Sequence, residues 1–265
     1  RLNKANVAYV NKVVAAVLLG VGVASAASLV AVGQSGGFAT VLFVSVGAIG
    51  TAAALTSLEL GLMALIFVAA TDEDLRSLLS GGWLRYRTSP ALQELTRDAH
   101  ATCARIGSVY FEDVDEARRL FHRLVPGAED GIDFRPPLTI DYGDRLLIGA
   151  RTFINADFMV IGGGLVTIGP DCLIGPRCSI YTPNHAEDVV RRREGWERPE
   201  PVTIGSNVWI GGSVTITPGV TIGDDSIIGA GSVVTRDVPA GVVAVGNPCR
   251  PVRAITTAPE ATTAH

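Results

Sequence analysis

Residues 202–234 read VTIGSNVWIGGSVTITPGVTIGDDSIIGAGSVV, and within them Ile204, Ile210, Ile216, Ile222, Ile228 and Val234 stand six residues apart. A period of six fits neither the 3.6-residue turn of an amphipathic helix nor the alternation of a half-buried strand, so it requires a solenoid. Gly follows the aliphatic residue at 205, 211, 223 and 229, and Val208, Val214, Val220, Ser226 and Ser232 place a compact residue four positions after it. The aliphatic side chain points inward from a short strand, the next residue enters a turn, and the compact fourth residue fits a narrow corner.

The same register runs through Ile148, Ile154 and Val160 and again through Ile168, Ile174 and Ile180, with a two-residue insertion around Gly162-Gly163-Gly164. Three hexads make one triangular coil, and successive coils stack about 4.8 Å apart like neighbours in a parallel sheet. Residues Ile148 to Pro239 hold about four to five such coils, whose inward ladders supply the burial that a single six-residue strand lacks. The predicted fold is an all-β core, a single-stranded parallel β-helix; a β-sandwich is the alternative. Between Tyr181 and Pro201 the ladder is interrupted, and residues 182–201 read as a loop projecting from the prism, a common place for binding and catalytic groups. His185 is its most informative member. An imidazole can be neutral at cellular pH and accept a hydroxyl proton, and His100, His122 and His265 lie in polar helical or terminal sequence.

Composition narrows the function classes. Net charge is −4 with 18% charged residues, which gives no general cationic surface for a phosphate backbone and argues against nucleic acid. Cys103, Cys172, Cys178 and Cys249 form no CxxC pair and no zinc-ligand cluster with His, so neither a metal site nor a disulfide framework is expected.

The chain starts on Arg1 rather than Met, so its N-terminus is not read as native. Val13 to Val32 carries no charge and Phe38 to Ala70 only Glu59, lengths that reach the ~20 residues of a membrane-crossing helix. Residues 1–70 are therefore expected to form a transmembrane hairpin joined near Gly33 to Gly37. Arg1, Lys4 and Lys12 place the N-terminus and the following domain at the cytoplasmic face of the membrane. A signal peptide around Ala24-Ser25-Ala26, a buried helical pair, or an upstream segment foreign to the native protein, which would leave it cytoplasmic, are the alternatives. Residues 71–134 read as a helical cap. Thr71-Asp72-Glu73-Asp74 opens a helix with Leu75, Leu78 and Leu79 on one face, Leu92, Leu95, Ala99 and Cys103 continue at helical spacing, and Asp115 to Leu124 ends before Pro126-Gly127. Residues 135–255 form the solenoid domain, and 256–265 a flexible tail.

Several stretches then act together: Arg135-Pro136-Pro137 to Asp141-Tyr142-Gly143, Phe153-Ile154-Asn155, Tyr181-Thr182-Pro183-Asn184-His185, Asn207-Val208-Trp209-Ile210-Gly211 and Gly246-Asn247-Pro248-Cys249-Arg250. In these the chain, from about Asp72 to Ile255, resembles the maltose and galactoside O-acetyltransferase family of hexapeptide-repeat acyltransferases. The resemblance implies a left-handed β-helix, acetyl-CoA as acyl donor, and a homotrimer in which CoA lies between adjacent prisms. It implies direct acetyl transfer to a hydroxyl of a sugar or related small acceptor, with His185 as general base and Asn155 beside the acceptor hydroxyl. Glu197 orients His185, with Glu194 the competing carboxylate. Trp209 walls the transfer site, and the Gly212 N–H meets the carbonyl oxygen. On the acceptor side it implies Tyr86, Asp141 and Phe153, and on the CoA side Gly211, Gly229, Arg236, Arg250 and Arg253. Tyr86 stands where the family carries an acid in its sugar site, and Gly162 or Gly163 where it carries another, so acyl transfer is better supported than maltose or galactoside specificity. A noncatalytic trimeric scaffold is the alternative.

Overall fold

The computed structural model describes residues 73–256. Three parallel sheets form the sides of a prism. One contains the strands Gly127–Ala128, Leu146–Ile148, Val166–Ile168, Val202–Ile204 and Thr221–Ile222. A second orders Asp133–Phe134, Phe153–Ile154, Leu173–Ile174, Trp209–Ile210, Ile227–Ile228 and Val242–Val245, with Arg250–Ala254 antiparallel at its edge. The third contains Leu138–Ile140, Phe158–Ile161, Ser179–Tyr181, Thr215–Ile216 and Val233–Val234.

The period of six becomes a ladder in space. Ile148 pairs with Ile168, Ile168 with Ile204 and Ile204 with Ile222 on the first side. Ile154, Ile174, Ile210 and Ile228 align in the same way on the second. These residues are buried, and so are the compact fourth positions Val208, Val214, Val220, Ser226 and Ser232. Cys172 and Cys178 occupy equivalent corners, where each thiol donates to the carbonyl of the coil above, Gly205 and Gly211, at 3.1 Å. Burial raises both thiols above the ordinary range, so these cysteines are corner packing groups rather than nucleophiles.

The glycines after the aliphatic residues serve a purpose other than the expected turn. The left-handed residue comes two positions later, at Arg151, Asp157, Asp171, Arg177, Asn207, Ser213 and Asp225, all with φ between 54° and 61°. The glycines are needed because the next coil lies against them. A Cβ on Gly175 would stand 2.6 Å from the Gly212 nitrogen, and one on Gly211 2.6 Å from the Ala230 nitrogen.

Helix α1 (Glu73–Ser80) buries Leu75 and Leu78. Helix α2 (Pro90–Val109) starts on Ser89, whose side chain accepts from the Leu92 N–H, and α3 (Val114–Leu124) starts on Asp113, which accepts from Glu116. Cys103, Ile106, Leu120 and Phe121 extend the prism core into these helices, and Phe121 stacks on Phe134 at 4.5 Å. Leu75, Leu78, Leu84, Leu92 and Tyr142 make a second, smaller cluster.

The membrane part of the expected fold is corrected. Among the described residues no helix is long and apolar enough to cross a membrane. The fold of the described residues is therefore a parallel β-solenoid with N-terminal helices, none of which is long and apolar enough to span a membrane. The hairpin expected over residues 13–70 lies outside the described residues, and membrane association through those residues and placement at the cytoplasmic face of the membrane are withdrawn with it.

Close stacking of coils makes a sharp contrast between two corner positions. Gly223→Ala, whose Cβ would lie 2.7 Å from Ala240 Cα, is expected to lose about 1–3 kcal/mol through overpacking. Arg177→Gly, at φ +58° and exposed, is expected to hold within about 1 kcal/mol of the parent or exceed it, because a left-handed L-residue is itself strained. Thermal denaturation of the two variants ranks them; the opposite order would contradict the stacking account.

Candidate active site

The second sheet carries a groove of about 560 Å³ lined by Phe153, Asn155, Trp209, Gly211, Gly212 and Gly229, together with Leu173, Gly175-Pro176, Ile227-Ile228 and Ala230. Six of the residues singled out in the sequence thus share one wall. Their gathering follows from the ladder, because Phe153 pairs with Leu173, Leu173 with Trp209 and Trp209 with Ile227. Leu173 and Trp209 are 52% and 54% exposed, large apolar surfaces that a ligand or a neighbouring chain could cover.

Three polar groups face this groove ready for a partner. Asn155 accepts from the Ala156 N–H through Oδ1 at 2.8 Å, and its Nδ2 has no partner among the described residues. The Gly212 carbonyl accepts from Gly231, while the Gly212 N–H donates to nothing among the described residues. The Ala230 N–H, one coil further on, is equally unpaired. Some equivalent nitrogens along the prism are capped, as at Ser206 by Asp224 and at Ala150 by Glu129, and others belong to prolines, while the Asp224 N–H is also without a partner among the described residues but lies outside the groove lining. Ala230 was missed in the sequence because an alanine carries no chemical label; only the fold reveals its free N–H.

His185 and Glu197 do not line the groove. They stand opposite each other in the antiparallel hairpin of Pro183–His185 and Glu197–Pro199, with Nδ1 3.7 Å from Oε2. His185 is largely exposed and Glu197 mostly buried. Burial raises the Glu197 carboxyl, and Asp141 adds to the rise, while His185 and Arg87 oppose it. Between the hairpin strands, α4 (Val189–Arg193) is capped by Asp188. The projecting segment 182–201 thus contains a hairpin and a short helix.

The expected acceptor residues divide. Phe153 and Asn155 belong to the groove. Asp141 accepts from His100 Nε2 and from the Gly162 N–H, both at 2.8 Å. Tyr86 shares a 2.7 Å hydrogen bond with Thr96. Tyr86 packs against the small cluster that contains Tyr142, and burial raises the Tyr142 hydroxyl, with the Asp141 carboxylate raising it further. His100, read in the sequence only as part of a polar helix, is thus the hydrogen-bond partner of Asp141.

Arg250 and Arg253 sit on the edge strand of the groove's own sheet, and both are exposed, as is Arg236. Five strand steps separate Phe153–Ile154 from that edge, about 24 Å along the face. Among the described residues no group of three or more His, Cys, Asp or Glu could hold a metal ion.

A family model described as Bacterial transferase hexapeptide (six repeats) matches residues 201–236. The chain is 39% identical over 143 residues to the galactoside O-acetyltransferase of Escherichia coli K12, covering 54% of this chain and 70% of that one. It is similar in structure to a maltose O-acetyltransferase from Clostridium difficile 630, with a TM-score of 0.66 and 34% identity over 68% of this chain and 96% of the other. A hexapeptide-repeat acetyltransferase of Vibrio cholerae O1, solved with acetyl coenzyme A, gives a TM-score of 0.61 and 33% identity over 70% of this chain and 100% of that one.

The raised Glu197 carboxyl has a consequence for stability. Its folded form holds a proton more tightly than its unfolded form, so its contribution is fully present at low pH and declines as pH rises through the raised value. Glu197→Gln removes that decline. The variant is expected to match the parent near pH 4 and to melt at a higher temperature at pH 7. A variant that melts lower at pH 7 than the parent, with no difference at pH 4, would show that pairing with His185 outweighs burial.

Proposed function

The chain belongs to the hexapeptide-repeat acetyltransferase family related to the galactoside and maltose O-acetyltransferases, and from that premise we propose how its residues divide the reaction. The protein is an acetyl-CoA-dependent O-acetyltransferase, and acetyl-CoA is its acyl donor. That sets aside the noncatalytic scaffold. The acceptor is proposed to be a sugar or a related small hydroxylated molecule.

His185 accepts the proton of the acceptor hydroxyl as its oxygen attacks the thioester carbonyl carbon. The C–S bond then breaks, and the imidazolium returns the proton to the leaving thiolate. Glu197, opposite His185 in the hairpin, steadies the imidazole and its positive charge. The Gly212 N–H stabilises the negative charge that develops on the carbonyl oxygen. Asn155 orients the acceptor through its free Nδ2, and Trp209 closes the wall beside the acetyl group. Tyr86 and Asp141 act on the acceptor side, where Tyr86 contributes a hydroxyl without a carboxylate's charge. Gly211 and Gly229 let the donor's arm lie flat on the sheet, and Arg236, Arg250 and Arg253 meet its phosphates through charge-assisted hydrogen bonds.

The observation that carries this reading is the groove itself, in which Phe153, Asn155, Trp209 and the unpaired Gly212 N–H converge. The base is not in its wall, which favours a homotrimer in which His185 of one subunit faces the groove of the next.

His185→Ala tests the base. With trimerisation and CoA binding retained, kcat/KM is expected to fall by about two to four powers of ten, or roughly 3–5.5 kcal/mol of transition-state stabilisation. Asn155→Ala is expected to damage turnover in a way that varies with the hydroxylated acceptor. Steady-state kinetics over an acceptor panel, with product masses, measures both; a folded H185A enzyme at near-parent kcat/KM would reject the base.

A further inference from the structure

We infer that Trp83, Arg191 and Trp196 are positioning residues for acetyl transfer, the centre of an alternating guanidinium and indole stack that clamps the His185–Glu197 hairpin to the helical cap. This rests on the assignment of His185 as base.

The stack runs Arg85, Trp196, Arg191, Trp83, Arg198, each group over the next. Arg85 Cζ lies 4.9 Å from the Trp196 ring, Arg191 Cζ 5.4 Å from Trp196 and 5.0 Å from Trp83, and Arg198 Cζ 5.7 Å from Trp83. Trp83 and Arg85 come from the cap; Arg191, Trp196 and Arg198 come from the inserted segment. Members from the two sources interleave, so the segment cannot shift without unstacking them. The clamp closes on Glu197 itself, because the Leu84 N–H donates to the Glu197 carbonyl and the Glu197 N–H to the Leu84 carbonyl, both at 2.9 Å.

The apolar residues of α4 do not do this work. Val189 and Val190 of α4 are 60% and 52% exposed, so the short helix turns its apolar side chains to solvent. The helix instead fixes Arg191: Asp188 accepts from its N–H, and its carbonyl accepts from the Trp196 N–H at 3.0 Å. Trp196 Nε1 is held in turn by Glu194 Oε2 at 3.0 Å. A guanidinium suits the central place because its flat cation can meet a ring on each face, which a lysine ammonium does less well. The pair it steadies is long, 3.7 Å between His185 and Glu197, and a displacement of about 1 Å at a catalytic group can cost much of its effect.

The test is Arg191→Met and Arg191→Lys in the full chain, each made in the parent and in H185A, with acetyl-CoA and the best acceptor. Arg191→Met is expected to lower kcat about tenfold with the KM for acetyl-CoA within about twofold, and Arg191→Lys to recover most of that loss. In the H185A background Arg191→Met is expected to change the residual rate by less than about twofold, because the stack acts through His185. Trp83→Leu repeats the measurement from the cap side, should the loop variant fold poorly. A parent-like kcat in folded R191M, or a tenfold loss that persists in H185A, would overturn the inference. A disabled H185A beside a parent-like R191M removes the stack alone, whereas a fully active H185A removes the base.

Discussion

Everything in this molecule depends on how closely one coil can lie on the next. The inward ladders of Ile and Val are cooperative only when strands hydrogen-bond coil to coil, and that spacing leaves no room for a Cβ at Gly175, Gly205, Gly211 or Gly223. The same exclusion shapes the active surface. A side chain at Gly175 would press on the Gly212 nitrogen, and one at Gly211 on the Ala230 nitrogen. Bare glycine at these places keeps both N–H groups accessible in the groove. The residue choice that permits the fold thus also leaves accessible the Gly212 N–H, which the proposed mechanism sets against the developing oxyanion.

The prism tolerates its largest interruption because the ladder resumes in register. Ile168 pairs with Ile204 although 36 residues separate them, twice the 18 between the paired Ile204 and Ile222. The additional chain leaves and returns at one corner, so it can carry chemistry without disturbing the core. It does not dangle. Its hairpin sets His185 against Glu197, and its far side is stacked into the cap by Arg191 and Trp196. A rigid solenoid supplies the groove, and a braced insertion supplies the proposed base.

The period of six made the solenoid legible from the sequence, and the motifs around Asn155 and Trp209 made the groove legible, because residues one coil apart must become neighbours. What was not legible depends on contacts across unrelated segments. Nothing in the spacing of Trp83, Arg191 and Trp196 announces that they stack, and nothing about His100 announces its bond to Asp141. The turn role read for the repeat glycines was displaced because the left-handed corner residue is Asn, Asp, Arg or Ser two positions on, a feature of the backbone path rather than of residue type. Apolar length suggested a membrane hairpin over residues 13–70, and no helix of the described residues carries such a span.

The central claim is that His185 of one subunit serves the groove of its neighbour in a trimer. Mixed trimers of H185A and N155A chains, purified through two different tags, test it by their rate of acetyl-CoA turnover. Each mixed ring contains one interface at which an intact His185 meets an intact groove, so about one third of the parent activity is predicted with an acceptor on which each variant alone is disabled. Mixed trimers no more active than the two disabled homotrimers would contradict the account, because the base and the groove would then belong to the same chain.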